Sequence, residues 1–232
     1  MADLILVAVP DDQLADLVAG LAATGTWRAG QILAHTCGAH GLGVLDPAAE
    51  RGVMPLALHP AMTFTGRPED MDRLAGAIFG ITAYPDYRAV AETLVLEMGG
   101  EPVWVPDAAR PLYHAALSHA ANHLVTLLCD ATDLLADAGV EQPTKVLSPL
   151  VTAALDNALR LSDAALTGPV SRGDVDTVRS HLTALRAQDP AMVESYLAMA
   201  RRTAVRAYNA GRIDDDTLVT MIDTLEIAGG SD

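Results

Sequence analysis

The sequence predicts an α/β layer with a mostly parallel sheet over residues 1–107, followed by an all-helical part over 108–232. Three observations carry this expectation. Short apolar runs alternate with helical patterns in the first part, as in layered α/β folds. Strand patterns vanish after about Ala109. From Leu112 to Ala138 the chain is one long stretch rich in Ala and Leu.

The opening run, ADLILVAV, ends in Pro10-Asp11-Asp12. It reads as strand Leu4–Val9, buried on both faces of a parallel sheet. A helix over Asp11–Ala23 follows, with Asp11 or Asp12 as its N-cap. Further strands are expected at Gln31–Ala34, Met54–Leu58, Ala77–Thr82 and Pro102–Val105. Helices are expected at Pro68–Leu74 and Asp86–Met98, the latter stopped by Gly99-Gly100. In the second part, helices are expected at Leu112–Ala138, Thr144–Thr167, Val175–Ala187, Ala191–Ala210 and Asp215–Ile227. The breaks between them come at Gly139, Pro143, Gly168-Pro169, Gly173, Pro190 and Gly211.

Bulk properties narrow the class. Half of the 232 residues are hydrophobic and only 4% are aromatic, so the core is built from Ala, Leu and Val. Thirty acids against fifteen bases give a formal charge of −15, the opposite of a nucleic-acid or anionic-membrane footprint. Cys37 and Cys129 are far apart and suggest neither a disulfide framework nor a thiolate metal site. No signal peptide and no apolar run of about 18 residues is seen, so a cytoplasmic protein is the default expectation.

Four segments carry chemistry: ADLILVAVPDDQL (Ala2–Leu14), HTCGAHG (His35–Gly41), LHPAMTF (Leu58–Phe64), and the pair LYHAALSHAANHL (Leu112–Leu124) with TGPVSRGD (Thr167–Asp174). In this order they resemble a family of Rossmann-like NAD(P)-dependent reductases. Its members have a helical C-terminal domain like that of 6-phosphogluconate dehydrogenase. The ketopantoate and pyrroline-carboxylate reductases lie close to it. The resemblance covers nearly the whole chain. It implies a partial Rossmann-like domain over 1–107, because the glycine fingerprint G-x-G-x-x-G and the residue that reads the ribose are not found here. A mis-set start, a truncation and a natural loss of cofactor binding would each account for that. Weak NADPH binding by residues 1–232 alone is the expectation, and strand Leu4–Val9 would be an exposed apolar edge.

The resemblance also assigns candidate residues. Val9, Pro10 and Asp11, at the carboxyl end of the first strand, would lie along the nicotinamide ribose. Thr36 would hydrogen-bond cofactor or substrate, and Gly38 would let the backbone approach closely. His59, at a strand end, would orient or protonate a carbonyl oxygen, with Thr63 in the loop beyond it. On the first C-terminal helix, related enzymes place a Lys and, four residues later, an Asn. Asn122 matches the Asn, but Ser118 stands where the Lys would be, and the one lysine in the chain is Lys145. His114, Ser118 and Asn122 drift only about 80° around a helix and so share a face. His119 and His123 have the spacing of a metal pair without a third ligand, and no metal is expected. Ser171 and Arg172 are the candidate substrate clamp, Arg172 by bidentate contact with a carboxylate.

These residues imply an NADP- or NAD-dependent reductase of a small 2-oxo acid, with ketopantoate to pantoate the leading reaction. The C-terminal helices are expected to form a homodimer. A reductase of cyclic imines and a non-catalytic helical dimerisation protein with a vestigial α/β domain are the alternatives.

Overall fold

The computed structural model describes residues 2–229. Five strands form one sheet in the order of the chain: β1 (Leu4–Val7), β2 (Ile32–His35), β3 (Met54–Pro60), β4 (Ile78–Ala83) and β5 (Glu101–Trp104). β1, β2 and β3 run parallel, β4 is antiparallel to β3, and β5 is parallel to β4. The expected α/β layer with a mostly parallel sheet, followed by helices, is therefore the observed fold class.

Helices α1 (Asp11–Ala23), α2 (Asp46–Ala49), α3 (Glu69–Leu74) and α4 (Arg88–Glu97) lie between the strands. Leu14 and Val18 of α1 pack with Val7, Leu33, Leu45 and Val53 in one core. Ala91 and Val95 of α4 pack with Ala34, Leu56, Leu58, Phe79 and Ile81 in another. The neighbours Leu33 and Ala34 belong to different cores, because successive strand residues point to opposite faces.

β1 departs from expectation. It is buried on one face, not both. Ile5 and Val7 pack into the α1 core, whereas Leu4 and Leu6 are 43% and 53% exposed. Leu4 and Leu6 stand in register with Ile32 and Ala34, over which the α4 core has its margin. The strand also ends at Val7 rather than Val9, where Pro10 approaches. Asp11 is the first residue of α1 and not its cap; Pro10 holds the cap position with no side-chain hydrogen bond.

The second part begins with the 28-residue helix α5 (Arg110–Asp137), followed by α6 (Pro143–Leu161), the single turn α7 (Pro169–Arg172), α8 (Val175–Gln188), α9 (Ala191–Asn209) and α10 (Asp215–Gly229). The expected helix Thr144–Thr167 stops at Leu161, where Ser162 adopts a left-handed φ of 50° and a tight turn follows. By contact density the chain divides into two compact units, residues 1–125 and 126–232, so the division falls inside α5. The core of the second unit joins Val178 and Leu182 of α8, Leu197, Ala200 and Ala204 of α9, and Met221 and Leu225 of α10. As expected, Asp174 caps α8, accepting hydrogen bonds from the Thr177 backbone N–H at 3.1 Å and from the Thr177 hydroxyl at 2.7 Å.

Candidate functional site

A cavity of about 420 Å³ opens outside the carboxyl ends of β1, β2 and β3. Ligands of open parallel sheets bind at that end, where loops diverge and backbone groups are free. Each strand end supplies part of the wall: Ala8, Val9 and Pro10 after β1, Thr36 after β2, and His59, Pro60, Met62 and Phe64 at the end of β3. The wall is apolar apart from Thr36 and His59, the composition usual for small-molecule sites. A second cavity, of about 500 Å³, lies at the carboxyl ends of β4 and β5, with Arg88 stacked on Trp104 at its rim. Leu42, Gly43 and Asp46, from the segment after β2, also line it.

The loop after β2 is held by His35, which is fully buried. Its Nδ1 accepts from the Cys37 N–H at 3.2 Å and its Nε2 donates to the Gly41 carbonyl at 3.1 Å. Burial pulls its pKa down to about 4, so the ring is a neutral clamp. Cys37 is a small buried apolar group; burial, together with its contact to the Asp11 carboxylate, raises its thiol to about 11. Gly38 follows, and a Cβ there would lie 2.9 Å from His59 Nε2 and 2.5 Å from His114 Cδ2. Only glycine allows this loop to pass so close to two imidazoles.

His59 is the polar centre of the cavity. Burial lowers its pKa to about 4, and the positive charge of Arg110 and the ring of His114 add to the effect. Its Nδ1 lies 2.9 Å from the hydroxyl of Tyr113, and the His114 ring crosses it edge to face at a 6.0 Å centroid distance.

Two residues of this site carry no signal in a linear reading of the motifs. Arg110 is fully buried at the start of α5. Its Nε donates to Thr82 Oγ1, one terminal nitrogen to the Cys37 carbonyl, and the other to the carbonyls of Ala57 and Gly80. It forms no ion pair among the described residues. Four hydrogen bonds to neutral oxygens compensate its desolvation, and in return one side chain ties together the loop after β2 with β3 and β4. Tyr113 is the other. An isolated glycine in a strand signals a close approach by another group, and Gly80 in IFGITA is such a glycine. A Cβ at position 80 would collide with the Tyr113 hydroxyl.

The structure thus brings together Val9, Pro10, Thr36, Gly38, His59 and His114. The other candidates are placed elsewhere. Asp11 does not line the cavity; its carboxylate faces the Cys37 thiol. Thr63 is exposed and its neighbours Met62 and Phe64 form the wall instead. Ser118 and Asn122, one and two turns beyond His114, bond to each other at 3.0 Å. His119 and His123 form an exposed ring pair. No cluster of three or more metal-ligating side chains occurs among the described residues. Ser171 and Arg172 belong to the second unit. The Ser171 hydroxyl is buried and donates to the Gly168 carbonyl, while Arg172 is exposed.

The model of a family described as a domain of unknown function, DUF2520, matches residues 77–203. The chain belongs to the DUF2520 family. A Rossmann-like domain model matches residues 1–60 of this DUF2520 protein. Among solved structures, BF3122 of Bacteroides fragilis, described as a candidate NADP oxidoreductase, is similar with a TM-score of 0.71 and 25% identity, over 88% of this chain and 75% of that one. TM1727 of Thermotoga maritima gives 0.66 and 19%, over 86% and 77%. A reductive aminase of Aspergillus terreus, solved with NADPH and ethyl levulinate, gives 0.60 and 18%, over 96% and 78%. No curated protein matches the chain. The resemblance to a Rossmann-like fold joined to a helical domain is met; a specific kinship with ketopantoate reductases is not among these matches.

Proposed function

We propose that this DUF2520 protein is an NADP(H)-dependent reductase of a small carbonyl or imine compound, with a 2-oxo acid such as ketopantoate as the first substrate class to test. The carrying observation is the 420 Å³ cavity at the carboxyl ends of three parallel strands, with a neutral imidazole as its polar centre. Hydride transfer needs the nicotinamide against the acceptor carbon, and a hydrogen-bond donor at the heteroatom where charge develops. The apolar walls suit a nicotinamide ring. Val9, Pro10, Thr36 and Gly38 are the proposed cofactor contacts. His59 is the proposed donor, with His114 beside it. A similar structure at 25% identity that is described as a candidate NADP oxidoreductase supports the cofactor.

The carboxylate of a 2-oxo acid requires a cation. None lines the cavity, and the hydrogen-bonding nitrogens of Arg110 are already engaged by the sheet. The resemblance read from the sequence makes Arg172 the proposed carboxylate clamp, with Ser118 and Asn122 as proposed contacts along α5. Helix α6 supports a homodimer through the helical part. None of its residues is buried, yet Leu150, Leu155 and Leu159 are 64%, 48% and 79% exposed. A helix apolar on more than one side is ordinarily covered.

The test is NADPH oxidation by the full chain, with the cofactor in large excess, on a panel of 2-oxo acids including ketopantoate and of cyclic imines including pyrroline-carboxylate. Turnover of one class is expected. It should fall by about a hundredfold in His59→Gln, the scale of a lost acid–base or donor group. Absence of turnover across the panel, with cofactor bound, would overturn the reductase reading and favour a dimerisation module.

A further inference from the structure

We propose that Tyr113 is a positioning residue that holds His59 in the Nε2–H tautomer, so that a neutral imidazole presents an N–H donor to the heteroatom of the bound substrate. The proposal rests on the reductase reading for its use, but not for its structural content.

The geometry comes from the sheet. In the antiparallel pair β3–β4, His59 stands directly opposite Gly80. Directly opposed residues project side chains on the same face, as close neighbours. Residue 80 has no side chain, and the phenol of Tyr113, arriving from α5, takes the vacated space. Its hydroxyl reaches His59 Nδ1 at 2.9 Å, with the two rings perpendicular at a centroid distance of 5.5 Å.

The direction of that hydrogen bond decides the tautomer. Among the described residues the Tyr113 hydroxyl has one partner, Nδ1 of His59. Burial keeps the phenol protonated. A phenol that instead accepted from Nδ1–H would leave its own half-buried hydrogen without an acceptor among the described residues, an unfavourable arrangement. With Tyr113 donating, Nδ1 carries the lone pair and Nε2 carries the hydrogen. Nε2 has no hydrogen-bond partner in the described residues, lies against Gly38, and belongs to a ring that lines the cavity. The guanidinium of Arg110, 5.9 Å from the Tyr113 ring, disfavours a second proton on His59. Tyrosine and arginine thus act on one imidazole in two ways: one selects which nitrogen is protonated, the other opposes a positive charge. A neutral donor of this kind serves a carbonyl oxygen and an imine nitrogen equally.

The test is nitrogen NMR of the full chain labelled with ¹⁵N-histidine, with His59 assigned by its absence in His59→Gln. At neutral pH the His59 Nδ1 is expected in the unprotonated range and Nε2 in the protonated range. In Tyr113→Phe the two nitrogens are expected to move toward an averaged mixture. A wild-type His59 in the Nδ1–H form, or a tautomer ratio unchanged by Tyr113→Phe, overturns the proposal. If the variant does not fold, the wild-type spectrum decides alone. None of these readouts needs a substrate, so failure of the reductase reading and failure of this proposal are separable. Where turnover is found, Tyr113→Phe should lower kcat by about tenfold or more with KM for NADPH little changed.

Discussion

At the scale of single residues, the site is a set of close approaches. Gly38 illustrates it. Gly38→Ala would press a methyl against His59 Nε2 and His114, and both rings would have to move. Reduced turnover is expected, with the unfolding midpoint lowered by the overpacking cost of about 1–3 kcal/mol; unchanged kinetics in the variant would show that the loop is not at the reacting centre. His35 and His59 predict a pH dependence. Both have folded pKa values near 4, below the ordinary 6.5. Between those values the unfolded chain binds more protons, so their contribution to stability is fully present above pH 6.5 and is lost as pH falls toward 4. For the fully buried His35 the loss is about 3 kcal/mol. Urea titrations from pH 7 down to 4 should show the decline, with a shallower slope in His35→Gln. The polar residues of this scale were only partly legible in the sequence. His59 and Gly38 stand at strand ends, where motif spacing shows them. Arg110 looks like any arginine at a helix start, because its carbonyl partners lie 30 to 73 residues away in sequence.

At the scale of elements, apolar periodicity located all five strands and the long helices, since each must bury a face. It failed where burial was incomplete or termini were decided by local geometry. The apolar run of β1 reads as doubly buried, because sequence shows which residues are apolar and not how far the covering helix extends. α4 packs on β3, β4 and β5, and Leu4 and Leu6 are left in the open. Among the described residues the same strand lies at the border of the sheet, with β2 as its one neighbour. Exposed apolar edges invite strand pairing between molecules. Leu6→Lys should therefore reduce concentration-dependent aggregation, measured by light scattering, while changing folding stability by no more than about 0.5 kcal/mol. Equal aggregation of the variant would mean that the edge is not the sticky surface. Helix α2, between β2 and β3, gave no periodic signal, because its single turn is too brief for a 3.6-residue repeat to be read.

At the scale of the whole molecule, the order of an α/β layer and a helical part was legible because the two patterns differ along their whole length. The DUF2520 match spans the transition, from residue 77 to 203, so the family itself is defined across it. The placement of Ser171 and Arg172 was not legible, because tertiary distance between loops has no linear trace. The exposed leucines of α6 lead to a prediction about assembly. If a second copy covers them, the protein should sediment as a dimer, and Leu155→Glu combined with Leu159→Glu should yield monomers with unchanged helix content. A monomeric wild type would remove the dimer proposal. The surface charge of −15 opposes non-specific self-association and leaves apolar contact as the force for any specific one.

The shared space at positions 80 and 113 has a consequence for sequence change over time. The phenol occupies volume that a side chain at 80 would claim, so neither position can be altered freely while the other stays as it is. Relatives that acquire an alanine or larger residue at 80 should have given up the aromatic ring at 113, and with it the constraint on the neighbouring imidazole. The two substitutions should be inherited as a pair, although 33 residues separate them in the chain.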